Sequence, residues 1–180
     1  MAIDGTRIVS GDHSGGVIVW DASSMTRLHT ASVGEGTPVS SVAIDDTRIV
    51  SGDEWGHVIV WDASSMTRLH TARVGEGASV NSVAIDGTRI VSGDDSGDVI
   101  VWDASSMTRL HTASVGEGTP VYSVAIDGTR IVSGDGSGDV IVWDASSMTR
   151  LHTASVGEGT SVLSVAIDCL LYTSPSPRDS

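Results

Sequence analysis

Phenylalanine and lysine are both missing from the 180 residues, and the single cysteine, Cys169, falls outside the ordered part of the sequence pattern. Without cysteine before position 169 the chain has no disulfide framework and gives no sign of thiol redox chemistry. Without lysine, all ten basic residues are arginines, set against 23 acidic ones, for a formal net charge of −13. Phosphate backbones and anionic membrane surfaces repel such a chain, because non-specific nucleic-acid binding depends on clustered Lys and Arg. Nucleic acid and membrane are therefore excluded as expected partners. No apolar run approaches the roughly 18 residues needed to span a bilayer, and the first residues lack a basic, hydrophobic, small-residue signal pattern. The chain reads as a soluble protein, with an intracellular, cytoplasmic site expected by default.

What the sequence does contain is repetition. The stretch Ser51-Gly52-Asp53-Glu54-Trp55-Gly56-His57-Val58-Ile59-Val60-Trp61-Asp62 returns, in some version, every 41 residues. Its anchors are Trp20, Trp61, Trp102 and Trp143, followed by Asp21, Asp62, Asp103 and Asp144. A period of about 40 to 45 residues closing on Trp-Asp marks a propeller blade. The units run 2–42, 43–83, 84–124 and 125–165.

In the second unit, 39–44 reads as a first strand, with a bulge near Ser40 and Ser41 restoring its faces. Strands are expected next over 48–52 and, after the turn 53–56, over 57–61, which is apolar on both faces and so sandwiched between sheets. A polar turn and an outer strand over 67–74 complete the unit. Tight connections between four short strands give an antiparallel up-and-down sheet. The fold class is thus all-β, a β-propeller of four four-stranded blades, in a ring either closed or left open and incomplete.

The extra first strand 161–167 has no blade after it, and blade 1 lacks most of its own first strand. Pairing of 161–167 with the second strand of blade 1 is the expected route to closure; self-association is another way to complete the propeller. Met1 stands where the other units have Val42, Val83, Val124 and Val165, so the chain is expected to be a segment of a longer array. From Cys169 the register collapses into Cys-Leu-Leu-Tyr-Thr-Ser-Pro-Ser-Pro-Arg-Asp-Ser, which resembles translated adapter read-through or a Ser/Pro-rich disordered tail. Residues 1–168 are taken as the one propeller segment and 169–180 as foreign to it.

The Ser-Gly-x-x-x-Gly-x-Val-Ile-Val-Trp-Asp stretch, with Val-x-Ser-Val-Ala-Ile near each unit boundary, resembles the WD40 repeat family across residues 2–167. Kelch and sialidase-type propellers fit worse in period or turn motif. The resemblance implies a propeller acting as a platform for protein partners. It also implies a structural tetrad, of which Ser10, Ser51, Ser92 and Ser133 and the four Trp are present. The Gly-His position holds Gly34-Glu35, Gly75-Glu76, Gly116-Glu117 and Gly157-Glu158, and the Asp position holds Ser14, Trp55, Ser96 and Ser137. Asp12, Asp53, Asp94 and Asp135, two residues earlier, are candidates to take the place of the missing Asp.

The four units agree in 33 of 41 columns, and the variable columns cluster. Three lie in the turn between second and third strands: His13, Glu54, Asp95 and Gly136; Ser14, Trp55, Ser96 and Ser137; Gly16, His57, Asp98 and Asp139. Two flank the first strand: Pro38, Ser79, Pro120 and Ser161; Ser40, Asn81, Tyr122 and Leu163. By the resemblance both regions map to one rim. The candidate partner-binding residues are His13, Ser40, Glu54, Trp55, His57, Asn81, Asp95, Asp98, Tyr122, Asp139 and Leu163, for a protein or peptide partner. Drift in tolerant loops is the competing account, but exposed aromatics such as Trp55 and Tyr122 are usual interface anchors.

Other constellations carry less. His29, His70, His111 and His152 recur on the outer strand, too far apart for one zinc ion. Asp4, Asp45, Asp86 and Asp127 end the first strands and allow a cation- or ligand-binding channel as the alternative function. The run 135–139 has the start of a calcium loop but lacks its Gly and its Glu. No nucleophile with a base and an orienting acid, and no Gly-x-Ser-x-Gly elbow, is present. The expectation is no enzyme and no cofactor; a truncated product without a function of its own is the third reading.

Overall fold

A computed structural model describes residues 1–168. Among these, sixteen strands form four separate antiparallel sheets and no helix is present. Blade 1 holds β1 (Ala2–Asp4), β2 (Arg7–Gly11), β3 (Gly16–Asp21) and β4 (Arg27–Ser32). Blade 2 holds β5 (Val39–Ile44), β6 (Arg48–Asp53), β7 (His57–Asp62) and β8 (Arg68–Arg73). Blade 3 holds β9 (Val80–Asp86), β10 (Arg89–Asp94), β11 (Asp98–Asp103) and β12 (Arg109–Ser114). Blade 4 holds β13 (Val121–Asp127), β14 (Arg130–Asp135), β15 (Asp139–Asp144) and β16 (Arg150–Ser155). In every blade the strands pair in chain order. The first strands β1, β5, β9 and β13 lie against one another in sequence, while the fourth strands splay outward.

The expected bulge is present. Val39 pairs with Asp53 and Ser41 with Gly52, leaving Ser40 as the extra residue; Asn81 and Tyr122 are skipped in the same way in blades 3 and 4. Where the other units have Gly at the first hairpin, with φ of +55° at Gly5 and +49° at Gly87, blade 2 has Asp46. There β5 stops at Ile44, and the Asp45 carboxylate accepts the N–H groups of Thr47 and Arg48.

Each blade has two apolar faces of different composition. Ile49 pairs across from Trp61 and Ser51 from Ile59; Val50 pairs with Val60 and Gly52 with Val58. Side chains alternate along a strand, so one face carries Ile and Trp and the other carries Val. The Val face of one blade meets the Ile/Trp face of the next. Val9, Val17 and Val19 pack on Ile49, Ile59, Trp61, Ala63 and Met66. Val50, Val58 and Val60 pack on Ile90, Ile100, Trp102, Ala104 and Met107, and Val91, Val99 and Val101 on Ile131, Ile141, Trp143, Ala145 and Met148. Each Val, Ile or Met among them, fully buried, contributes about 1.5–3 kcal/mol. The junctions between sheets are the core.

Polar contacts recur at every junction. The Ser41, Ser82 and Ser123 hydroxyls accept the backbone N–H groups of Val83, Val124 and Val165, one blade further on, at 3.0–3.1 Å. Arg68 stacks over its own Trp61, 5.1 Å from the ring centroid, and donates to the Ser32 and Val33 carbonyls of the preceding blade. Arg109 and Arg150 repeat this on Trp102 and Trp143.

The expected closure differs from what is found. Residues 161–167 form no strand and do not pair with β2. They seat instead on blade 4, where Val162 N–H donates to the Asp135 carbonyl and Val165 N–H to Ser123 Oγ. Their register follows the blade they leave, as the first strand of any next blade would, and the four sheets stay an open ring. The adapter-like tail expected over 169–180 lies outside the described residues.

Candidate functional site

The turns between second and third strands are held by a buried carboxylate. Asp53, 1% exposed, accepts the N–H groups of Trp55 and His57 on Oδ1 at 3.0 and 2.9 Å. Asp94 and Asp135 do the same for Ser96 and Asp98 and for Ser137 and Asp139. Asp12 makes the same bonds from an exposed position, because the start of the first strand that would cover it is absent from blade 1. These carboxylates do not fill the vacant tetrad position as expected; short Asp side chains satisfy nearby amides first. The half of the network that remains is complete in each blade: Trp Nε1 donates to Ser10, Ser51, Ser92 or Ser133 at 2.8–2.9 Å.

The two variable regions are brought together. Glu54, Asp95 and Gly136 donate their N–H groups to the carbonyls of Pro38, Ser79 and Pro120. Ser79 Oγ donates to the Glu54 carbonyl of the preceding blade, and its N–H to Asp95 Oδ1 of its own. Asn81 Nδ2 reaches the Val121 carbonyl, 3.0 Å away in the next blade. Turn tips and bulges thus form one band along a single rim. On it Trp55 is 58% exposed, Tyr122 37% and Leu163 70%. His13, Ser40, Glu54 and Asp95 are exposed, and His57, Asn81, Asp98 and Asp139 are half-buried at the band's inner edge. His57 Nδ1 lies 3.1 Å from Asp53 Oδ2, which orients the ring beside Trp55.

One band residue is not among the candidates read from the sequence. Arg73 pairs across from His57 and donates to the Trp55 carbonyl at 2.9 Å. Its signal was available, since Arg73 is the one Arg in a column otherwise occupied by Ser32, Ser114 and Ser155.

Burial pushes the Asp94 carboxyl up, with the neighbouring Asp98 and Asp95 charges adding to it against the amide bonds it accepts. The Asp residues after the tryptophans behave oppositely. The Asp62 carboxylate accepts the hydroxyls and N–H groups of Ser64 and Ser65 in the turn to the outer strand. Asp21, Asp103 and Asp144 repeat this, and the serine hydrogen bonds bring all four from 3.8 down to about 2. A folded carboxyl that is the stronger acid contributes stability above the unfolded pKa and loses it as pH falls through the folded one. Stability from these turns is therefore full above about pH 4 and lost toward pH 2; Asp94, raised, works the other way and loses stability as pH rises. Asp103→Asn keeps an oxygen that can accept the turn's N–H groups. Urea midpoints between these pH values should show a shallower acid loss for the variant, and an unchanged slope would mean that the turn charge does not matter to folding.

The remaining candidates do not converge on a ligand. Asp4, Asp45 and Asp86 line a cavity of about 480 Å³ with Ile44, Asp46, Thr47 and Gly87. Asp45 caps its own hairpin, Asp86 accepts the Gly128 N–H, and Asp4 lies 3.8 Å from Arg7. Among the described residues no three His, Cys, Asp or Glu side chains are grouped as metal ligands. His29, His70, His111 and His152 are exposed on separate outer strands.

Residues 67–103 and 108–144 match the WD40 family model, described as WD domain, G-beta repeat. Two stretches of the chain, in the second to fourth units, thus match WD40 repeats. Among solved structures, the chain superposes on the computationally designed Ika8 protein with a TM-score of 0.79 at 24% identity, covering 92% of this chain and 51% of that one. A chain in the crystal structure of the mitotic checkpoint complex gives 0.77 at 25% identity, with 89% and 50% covered. The designed Ika4 protein gives 0.67 at 24% identity, with 76% and 83% covered. This chain therefore spans about half the length of the first two. No curated protein matches it. WD40 propellers are typical protein-interaction scaffolds and generally non-catalytic.

Proposed function

We propose that this chain is a non-catalytic WD40 platform that binds a polypeptide segment along the rim band. The observation that carries the reading is the hydrogen-bonded union of the two variable regions, with an exposed tryptophan at its centre. A turn-tip Trp held by Asp53 below and Arg73 beside it is presented for contact rather than for packing. Glu54, Asp95, Asp98 and Asp139 share the band with the apolar anchors, and their charge favours a segment whose apolar side chains are flanked by basic ones.

Selection of a displayed random-peptide library on the chain tests this. The expected result is enrichment of basic, apolar sequences that bind at least tenfold more weakly to Trp55→Ala, a loss of about 1.4 kcal/mol or more. Failure to enrich any peptide, or peptides indifferent to both Trp55→Ala and Tyr122→Ala, would refute a rim site.

A further inference from the structure

The rim band does not carry one charge throughout. Blades 2 and 3 are each covered on both faces by a neighbouring sheet, so their rims compare directly. At the outer edge of the band, where the third strand begins and the fourth ends, blade 3 has Asp98 across from Ser114 and blade 4 has Asp139 across from Ser155. Blade 2 has His57 across from Arg73. Two facing positions thus differ together in an array otherwise nearly uniform, one losing a carboxylate and the other gaining a guanidinium. Residues directly opposed in an antiparallel pair lie within side-chain reach of each other.

That exchange makes a local cation in an acidic chain. Arg73 is exposed and forms no ion pair among the described residues. Its Nη2 donates to the Trp55 carbonyl at 2.9 Å, which fixes the guanidinium at the turn. Arginine offers five donors in a planar fork that matches a carboxylate, so this one bond leaves most of the fork for a ligand. His57 turns Nδ1 to the buried Asp53 carboxylate, and the place of Asp98 therefore brings no carboxylate to Arg73. Glu54 lies on the other side of the turn, its backbone bonded to Pro38 and Ser79. In blade 3 the balance is reversed. Asp94, Asp95 and Asp98 stand together there, and burial followed by the Asp98 and Asp95 charges pushes the Asp94 carboxyl up, the mark of a spot short of positive charge.

We propose that the rim selects the direction of the segment it binds: an acidic side chain sits on Arg73 in blade 2, beside the apolar anchor on Trp55, and the basic side chains lie over Asp95 and Asp98 in blade 3. This rests on the rim site proposed above and adds the order of charges along its occupant. A segment of the same composition with the charges exchanged sets like against like at both blades, and such repulsion discriminates between partners as much as attraction does.

Peptides enriched on the wild-type chain from the displayed library serve as the probe. They should carry Asp or Glu on one fixed side of the apolar anchor and Lys or Arg on the other. Exchanging the acidic and basic residues within such a peptide, at constant composition, should weaken binding at least tenfold. Arg73→Ser, which installs the residue of the other three units, should weaken the parent peptide about fivefold, and Arg73→Glu about tenfold or more. A peptide whose acidic residue is replaced by Lys should bind Arg73→Glu more tightly than wild type, while Ser155→Glu, a charge added in the same column of blade 4, leaves the parent peptide within twofold. Peptides that need Trp55 but tolerate the exchange of charges, that are indifferent to Arg73→Glu, or that lose as much with Ser155→Glu would overturn the directional reading and leave the rim site standing. Enrichment of no peptide would remove both.

Discussion

Trp102→Ala is expected to lower the unfolding free energy by about 3–5 kcal/mol, the range for removing a large aromatic from a packed core, whereas Trp20→Ala should cost less than half of that. The two tryptophans have the same sequence neighbours, the same hydrogen bond to a serine and the same stacked arginine. They differ in what lies on the far side. Trp102 is 2% exposed, packed with Val50, Val58 and Val60 of blade 2. Trp20 is half-exposed, because no described sheet packs on its face of blade 1. Urea unfolding of the two variants measures the difference. A domain stable by about 5–15 kcal/mol cannot absorb the central loss easily, and nearest-neighbour arrays come apart at their weakest junction. Trp102→Ala should therefore also broaden the transition into two. Equal losses at the two sites would show that each blade is held within its own sheet and not across the junctions.

That directionality was written in the chain but not visible to a hydrophobicity pattern. The run Val58-Ile59-Val60-Trp61 reads as apolar on both sides, and so it is. Which face meets which depends on the Ile-Val alternation also present at Ile49-Val50, and a binary pattern scores the two residues alike. The strands and the bulge at Ser40 are legible because each is decided by a few neighbouring residues. Ring closure was not, since it depends on a small rotation per blade summed over all of them. Residues 161–167 have a first strand's sequence, yet they follow blade 4 and never reach β2. Asp53 departs from the expected role for a local reason: its carboxylate accepts the Trp55 and His57 amides, while Trp61 donates to Ser51 without it. At the rim, internal comparison of the units found the variable columns, and the structure joined them. Arg73 is not legible in that way, because a lone change in an outer strand carries no sign of the turn it supports.

Whether that rim varies because it is free to, or because everything around it is held, can be tested at two adjacent residues. Ser96→Trp places in blade 3 the tryptophan that blade 2 carries, and should change stability by no more than about 0.5 kcal/mol, as a surface substitution does. Gly97→Ala, one residue on, is expected to cost about 2–4 kcal/mol. Gly97 has φ +99°, and a Cβ there would stand 2.6 Å from the Gly116 carbonyl oxygen and 2.8 Å from that of Thr119. Left-handed strain and overpacking against backbone both oppose the methyl group. The Gly116 oxygen cannot retreat cheaply, because it accepts the Thr119 N–H, and Gly97 is itself tied in place by the Val115 N–H on its own carbonyl. Gly56 and Gly138 meet the same obstacle, the carbonyls of Ala78 and of Thr160 and Gly157. Thermal midpoints of the two variants decide the matter. A large gap means that the turn is a rigid mount on which Trp55, His57 and their counterparts were free to diversify. If Gly97→Ala is as mild as Ser96→Trp, the glycine column reflects recent duplication alone, and the clustering of variation at the rim loses its structural meaning.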